Sequence, residues 1–574
     1  MKKIELKAAV SGVLTCLTLI AAPCGFAQSP QAGATLPSAG AILQHNSFLG
    51  TPAPPKGDAQ PTIRDNAASG ETADTGALLV HVARIVVDDV PGALKQDVEA
   101  IVAPYRDRSM SLSELRGVAV QITGVLLDHG ESISRAYLPQ QKVVGDVIHL
   151  AILRGHLESA KLGVNRSHVR DKVLEAYLKR GISASGDVKV MQDQLARMSD
   201  LPGLGALTPT LSPGSTPGGS SLVVTAEQAP RVVAALVGDN AGQRTTGRNR
   251  IGAQIVVNSP LGIGDQLQAL GYAAPDFFQA NHDSDAGRTL IGRVSYDLPV
   301  GTRGVRAGVA VSRVDYRVGG ETYGDLDMDG YAMVYSVYGS VPLVSGLDRH
   351  LTIAANLDYK RMSDSYLEED PNTRSSKNAT LELSGDRRGQ LAGLVNIFEF
   401  RAGASVGYLD NVPDWNGADT RGTFAKTTQA AKFTQMLAPR AGLYLQLSVD
   451  AQQASRNLDS SEKMTIGGPY AVRAFSNDTV SGDQGFVASA SLHANVPGVS
   501  GLAAQLFFDY AHATVQKFVA SNEDASLSLA GAGVGFDYAI GKYVTLSVSY
   551  AMRTHNELGD QPRGMTWVNG VLRF

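Results

Sequence analysis

Two stretches of this chain carry residue types that could do chemistry, and both fall short on spacing or context. Gly403-Ala-Ser-Val-Gly407 has the pattern of a hydrolase nucleophile, but such a serine needs a sharp strand-to-helix turn to raise its hydroxyl. Here it sits in a run of strand-like alternation, residues 397–408, with no helix after it. Asp325-Leu-Asp-Met-Asp-Gly330 opens like a calcium loop. Its twelfth position is Ser336, where a bidentate glutamate is required, which leaves either a solvated acidic loop or a weak surface calcium site. No glycine-rich loop ends in Gly-Lys-Ser/Thr to cradle phosphate, and none of the eleven histidines has zinc-ligand spacing. The residues therefore predict no catalytic group, no built metal site, no cofactor, and a protein that is not an enzyme.

The elements around these stretches explain why. From residue 231 to the C-terminus, sixteen strand-length segments are joined alternately by short and long connections. The short ones are 258–264, 300–304, 344–348, 386–389, 439–440, 497–501 and 540–542; the long ones include 318–330, 361–377, 409–428 and 452–485. Even-stranded outer-membrane barrels have this grammar, with short periplasmic turns, longer extracellular loops, and lipid-facing residues alternating with lumen-facing ones. In residues 543–550, Val544, Leu546, Val548 and Tyr550 share one face and Thr545, Ser547 and Ser549 the other. In residues 502–510 the same parity sends Leu506 and Phe508 outward and Gln505, Phe507 and Asp509 inward. The last segment ends on Phe574, as an outer-membrane barrel does, and a soluble β-sandwich is the competing reading of such alternation.

The N-terminal part is organised differently. Met1-Lys2-Lys3, the apolar run 8–22 and the small residues before Gln28 predict a cleavable signal peptide over 1–27. Both cysteines, Cys16 and Cys24, fall inside it, so the mature chain should hold no disulfide. Residues 28–77 form a Pro-rich linker in which 38–48, opened by Ser38, predicts a short helix that needs a docking site. Residues 78–157 then predict one small βααββ module, with a capping box at Ser111 and Glu114, and 158–229 predict a second. The barrel occupies 230–574. A net charge of -4 without a basic tract gives no sign of nucleic-acid binding.

With these motifs in view, the chain resembles a two-partner secretion transporter of the TpsB type, in the superfamily that joins POTRA domains to an outer-membrane barrel. Gly130-Glu-Ser-Ile-Ser-Arg-Ala-Tyr-Leu-Pro-Gln-Gln141 is similar to the first module's signature, and Asp200-Leu-Pro-Gly203 to the second module's loop. Val237 to Gly247 and Pro260-Leu-Gly-Ile-Gly-Asp265 are similar to the family's first hairpin and following turn. Ala471-Val-Arg-Ala-Phe475 and Phe507-Phe-Asp509 are similar to its loop and strand motifs, with Ala474 where the family has glycine.

The resemblance implies a long loop folded into the lumen, with Arg473, flanked by Val472, Ala474 and Phe475, paired to the inward Asp509 beside Phe507. It implies that the 38–48 helix plugs the bore at rest. It also implies a secreted exoprotein as cargo, an outer-membrane location with periplasmic modules, contact with membrane lipid, and insertion by the barrel-assembly machinery. Candidate cargo contacts are Tyr137, Leu138, Pro139 and Gln141 in the first module. In the second, one of the two strands within 203–226 is a candidate edge, tested at Val224. An assembly factor for other barrels is the alternative reading, and a passive porin leaves the two modules unexplained.

Overall fold

In the computed structural model, sixteen antiparallel strands close into one barrel, each hydrogen-bonded to its sequence neighbour around the wall. The structure describes residues 38–45 and 79–574, except 130, 132, 184–186, 275–286, 320–326, 347, 368–371, 411–418, 519–524 and 559–562. Closure joins the last strand, Gly564–Arg573, to the first, Val232–Asp239, with Asn569 opposite Asp239 and Arg573 opposite Ala235. Phe574 extends the seam by donating its N–H to the Ala234 carbonyl at 2.9 Å. Closure is the only way a sheet can cross a bilayer, because it leaves no unpaired backbone facing lipid. The parity holds on the wall: Leu506, Leu546, Val548, Tyr550, Val568 and Leu572 are exposed outward, whereas Phe507, Asp509 and Trp567 are buried inside.

Several strands run past the boundaries read from sequence. The stretch 386–389 is not a turn but part of the strand Asn372–Leu391. The reversal comes at Ala392 and Gly393, whose φ values of 53° and 76° are both left-handed, the pairing that a two-residue hairpin matched to strand twist requires. The expected loop 361–377 shrinks to 366–371, since the strand Arg349–Ser365 and its successor carry polar residues on their inner face above the membrane. Gly403-Ala-Ser-Val-Gly407 lies mid-strand in Leu394–Asp410, with the Ser405 hydroxyl 2.8 Å from that of Thr380.

The first module contains β1 (Leu79–Val82), β2 (Arg84–Asp88), α2 (Lys95–Val102), β3 (Arg108–Ser111), α3 (Leu112–Asp128), β4 (Arg135–Tyr137) and β5 (Val147–Leu153). The α1 helix is the isolated segment Ala39–His45. The first β element of the expected βααββ module is two strands that break at Ala83, because they serve different partners: β1 pairs with β3, and β2 runs parallel to β5. Ser111 caps α3 reciprocally with Glu114.

The second module contains β6 (His156–Asn165), α4 (Asp171–Ser183), α5 (Val188–Ser199), β7 (Leu204–Pro213) and β8 (Gly219–Gln228). Polar alternation hid β6 from sequence, since Leu157 is its one fully buried side chain. The sheet order is β6-β8-β7, so β8 is central and β7 is an edge. That corrects the reading at Val224: it lies in β8, paired on both sides and fully buried, and cannot offer an edge to a partner. The module sits against periplasmic turns of the barrel. Arg170 donates its N–H to the Gly262 carbonyl at 2.9 Å, and the Gln194 amide reaches the Thr302 carbonyl at 2.6 Å. Gly262 has φ 73°, and a Cβ there would come within 3.1 Å of the Arg170 side chain.

Leu222 is fully buried on the central strand. Leu222→Ala should cost about 2–5 kcal/mol, seen as a lower urea midpoint for the periplasmic modules by far-ultraviolet circular dichroism. An unchanged midpoint would show that this strand does not organise the module.

Candidate functional site

A wall of sixteen strands encloses more space than its own inward side chains fill, and the chain folds back into it twice. The first return is the segment between the strands Leu443–Ala454 and Gln484–Asn495, steadied by a small ladder of Met464–Thr465 against Ser481–Gly482. Ile466, Val472, Ala474 and Phe475 in this segment are fully buried, packing against Phe507, Ala511, Leu529 and Ala551 of the wall.

This packing brings Arg473 onto Asp509. The guanidinium donates through Nε to one carboxylate oxygen at 2.8 Å and through Nη2 to the other at 2.7 Å, and the Arg473 backbone N–H adds a third contact at 3.1 Å. Such two-pronged pairing fixes direction as well as charge. Ser489, directly opposite Asp509 across the sheet, donates to Asp509 at 2.7 Å and accepts from Arg473 at 3.0 Å. The guanidinium carbon lies 3.4 Å from the Phe507 ring centroid, and the Trp567 indole N–H holds the Arg473 carbonyl at 2.7 Å. Asp509 is completely buried.

Ala474, where the resemblance leads one to expect glycine, does not need a left-handed backbone, as it is not among the residues with positive φ. Its methyl instead takes space at Gly531, where an added Cβ would lie 2.5 Å from it. Arg553 closes the far side, its guanidinium 4.6 Å from the Phe475 ring centroid.

The second return is α1. Ser38 accepts the Ala41 N–H at 3.3 Å, and Ala39 and Ile42 are buried against Tyr316, Met328, Ala332 and Met362 of the wall. The helix and the loop meet. Ser38 and Ser460 hydroxyls stand 2.9 Å apart, and a Cβ on Gly40 would come 2.5 Å from the Ser460 hydroxyl oxygen, so only glycine lets the two lie flush.

A charged network ties both to the wall. Asp364 accepts from the Ala39 N–H at 2.8 Å, the Tyr316 hydroxyl at 2.7 Å and Arg374 at 2.5 Å. Arg374 also faces Asp459 of the loop at 2.8 Å, and Glu462 of the loop takes Lys360 at 2.6 Å and Lys426 at 2.9 Å. Sequence reasoning missed this network and Ser489. The available signal was parity: Lys360, Asp364, Arg374 and Lys426 all occupy inward positions of their strands.

The module residues scatter. Tyr137 is exposed, Leu138 packs partly into the module core, and the Gln141 amide is spent on the His149 backbone at 2.7 and 2.8 Å, continuing the ladder where β4 ends. Asp325 lies outside the described residues, and Asp327 pairs with Arg317 at 2.7 Å. No cluster of three or more metal-ligating side chains occurs among the described residues.

A closed barrel carrying small α+β modules at its N-terminal side, with a loop and a helix in its bore, defines an outer-membrane transporter of the POTRA-plus-barrel class. Residues 218–538 match the family described as haemolysin secretion/activation protein ShlB/FhaC/HecB, and residues 80–155 match the ShlB-type POTRA domain. The chain belongs to that family, the TpsB transporters of two-partner secretion, and resides in the outer membrane with its POTRA domains in the periplasm.

It is 22% identical over 508 residues to the heme/hemopexin transporter protein HuxB of Haemophilus influenzae, covering 85% of each chain. It is 25% identical over 399 residues to the outer membrane transporter CdiB of Dickeya dadantii, covering 68% of each. Its fold is similar to that of CdiB from Escherichia coli, with a TM-score of 0.67 at 18% identity over 94% of this chain and 100% of that one. It is also similar to BamA from Haemophilus ducreyi lacking POTRA domains 1–3, with a TM-score of 0.51 at 13% identity over 87% of this chain and 100% of that one.

Asp509→Ala strands a buried guanidinium, a loss of about 3–5 kcal/mol. Trypsin should therefore cut the purified variant faster after Lys463 and Arg473. Ser489→Ala, removing a hydroxyl that bonds the pair but leaving both charges matched, a loss of about 1.5–3 kcal/mol, should change the cutting rate less. Equal rates in both variants would place the hold on the loop elsewhere.

Proposed function

We propose that the protein captures a large secreted partner in the periplasm through its POTRA modules and passes it through the barrel to the cell surface without a catalytic step. The observation that carries this reading is the state of the bore, which holds two segments of the chain that pack apolar side chains on the wall and are positioned there by charge pairs and hydroxyl contacts. Buried ion pairs add little net stability but specify position, which suits parts that must leave their seats and return. Vectorial folding of cargo outside the cell supplies the drive, together with repeated weak capture by the modules.

The names of the relatives, a heme/hemopexin transporter and CdiB, support an exoprotein as cargo. Within this reading 1–27 is a leader removed on export, 28–77 holds the plug and its linker, 78–157 and 158–229 are the two modules, and 230–574 is the barrel. Membrane lipid and the barrel-assembly machinery are its partners in insertion. The exposed Tyr137 and the edge strands β6 and β7 are the surfaces on which an extended cargo segment can add a strand.

Arg473→Ala and Asp509→Ala should each lower cargo in the medium while the barrel stays inserted, and the double variant should lose little more than either one. If the two losses add instead, the pair has no shared role in secretion. Deleting residues 28–48 should raise single-channel conductance in planar bilayers; unchanged conductance would mean that the helix does not limit the open bore.

A further inference from the structure

The outer face of the barrel is not uniform around its circumference. Across five neighbouring strands, from Val305–Arg317 to Leu394–Asp410, the register aligns three successive rows of outward residues. The lowest is apolar: Val309, Val337, Leu357, Ala379 and Val406. The next, toward the extracellular end, is Val311, Tyr335, Tyr359, Lys377 and Tyr408. Above it stand Arg313, Met333, Arg361, Ser375 and Asp410. Tyr335 and Tyr359 stack, with centroids 6.4 Å apart. Tyrosine rings at this level mark the edge of the hydrocarbon, where an apolar body meets a polar tip.

The cations of the patch differ in their surroundings. Arg313 is engaged by Asp315 at 2.6 Å, and the one carboxylate of the top row, Asp410, is engaged by Arg421 at 3.2 Å. The side chains of Arg361 and Lys377 have no ion pair or hydrogen bond among the described residues. They are diagonal neighbours on adjacent strands, a separation of about 7–8 Å between backbones, close enough for one phosphate to reach both. Two like charges side by side at the edge of a low-dielectric slab repel unless an anion lies between them.

We propose that this face binds a phosphorylated glycolipid of the outer leaflet, with Arg361 and Lys377 holding a headgroup phosphate, Tyr335, Tyr359 and Tyr408 supporting the sugar, and the apolar row below taking the acyl chains. The height of the patch selects the source of the phosphate. It sits directly above lipid-facing valines and leucine at the extracellular ends of its strands, where a headgroup lies and where acyl chains continue downward. Arginine beside lysine provides forked and point-charge donors to the same anion.

The test is native mass spectrometry of the delipidated full-length protein titrated with diphosphoryl lipid A, with the same lipid stripped of phosphate, and with phosphatidylglycerol. The wild type should bind diphosphoryl lipid A about tenfold more tightly than either comparison lipid, the worth of roughly one charge-assisted contact. Arg361→Ser with Lys377→Thr should abolish that preference, and Arg361→Lys should retain most of it. Migration of the unheated protein on gels reports whether the barrel has formed, and Arg361→Gln alone serves if the double variant does not insert. A preference that survives loss of both cations overturns the proposal. So does phosphatidylglycerol binding as tightly as lipid A, which would reduce the patch to a general basic girdle.

Discussion

A closed sixteen-stranded wall satisfies every backbone group that faces lipid, and the rest of this structure follows from what closure leaves behind, a bore that the wall's own side chains do not fill. The chain answers with a loop and a helix of its own. Because the inward face of a membrane barrel is polar, these inserts meet aspartates, lysines and arginines as well as a dry core. Val472, Ala474 and Phe475 bury the loop's apolar edge, while Arg473 and Asp509 fix where it stops.

The two anchoring networks divide the work. Arg473, Asp509, Ser489 and Trp567 join the loop to the strands near the barrel's closing seam. Asp364, Arg374, Asp459, Lys360, Lys426 and Glu462 join the same loop to the opposite wall and, through Ala39 and Ser38, to the helix. The loop therefore touches two walls of the bore and the helix, so moving it alters the seat of the helix as well. Gly40 and Gly531 serve this fit in the same way, each giving up a side chain where another segment comes within van der Waals range.

Much of the architecture was legible in local sequence. Period-two alternation is a property of each strand by itself, so strand number, facing and the inward position of Asp509 could be read without knowing which strand pairs with which. Capping is equally local, and the box at Ser111 and Glu114 formed where its spacing placed it. Boundaries were less legible: the strand Asn372–Leu391 runs through a polar stretch that reads as a turn, since pairing to its neighbours, not hydrophobicity, sets how far it continues at its periplasmic end.

Tertiary structure alone decided which strand is an edge and which charges meet. Val224 and the residues of β7 look alike in sequence, yet the parallel pairing of β8 with β6 makes β8 central, and that pairing joins residues some sixty positions apart. Asp364 meets both Ala39, 325 residues away, and Arg374. The sequence by itself determined that charged side chains would point into the bore. Which acid faces which base depends on the circumference and register of the closed wall, quantities that belong to no single strand.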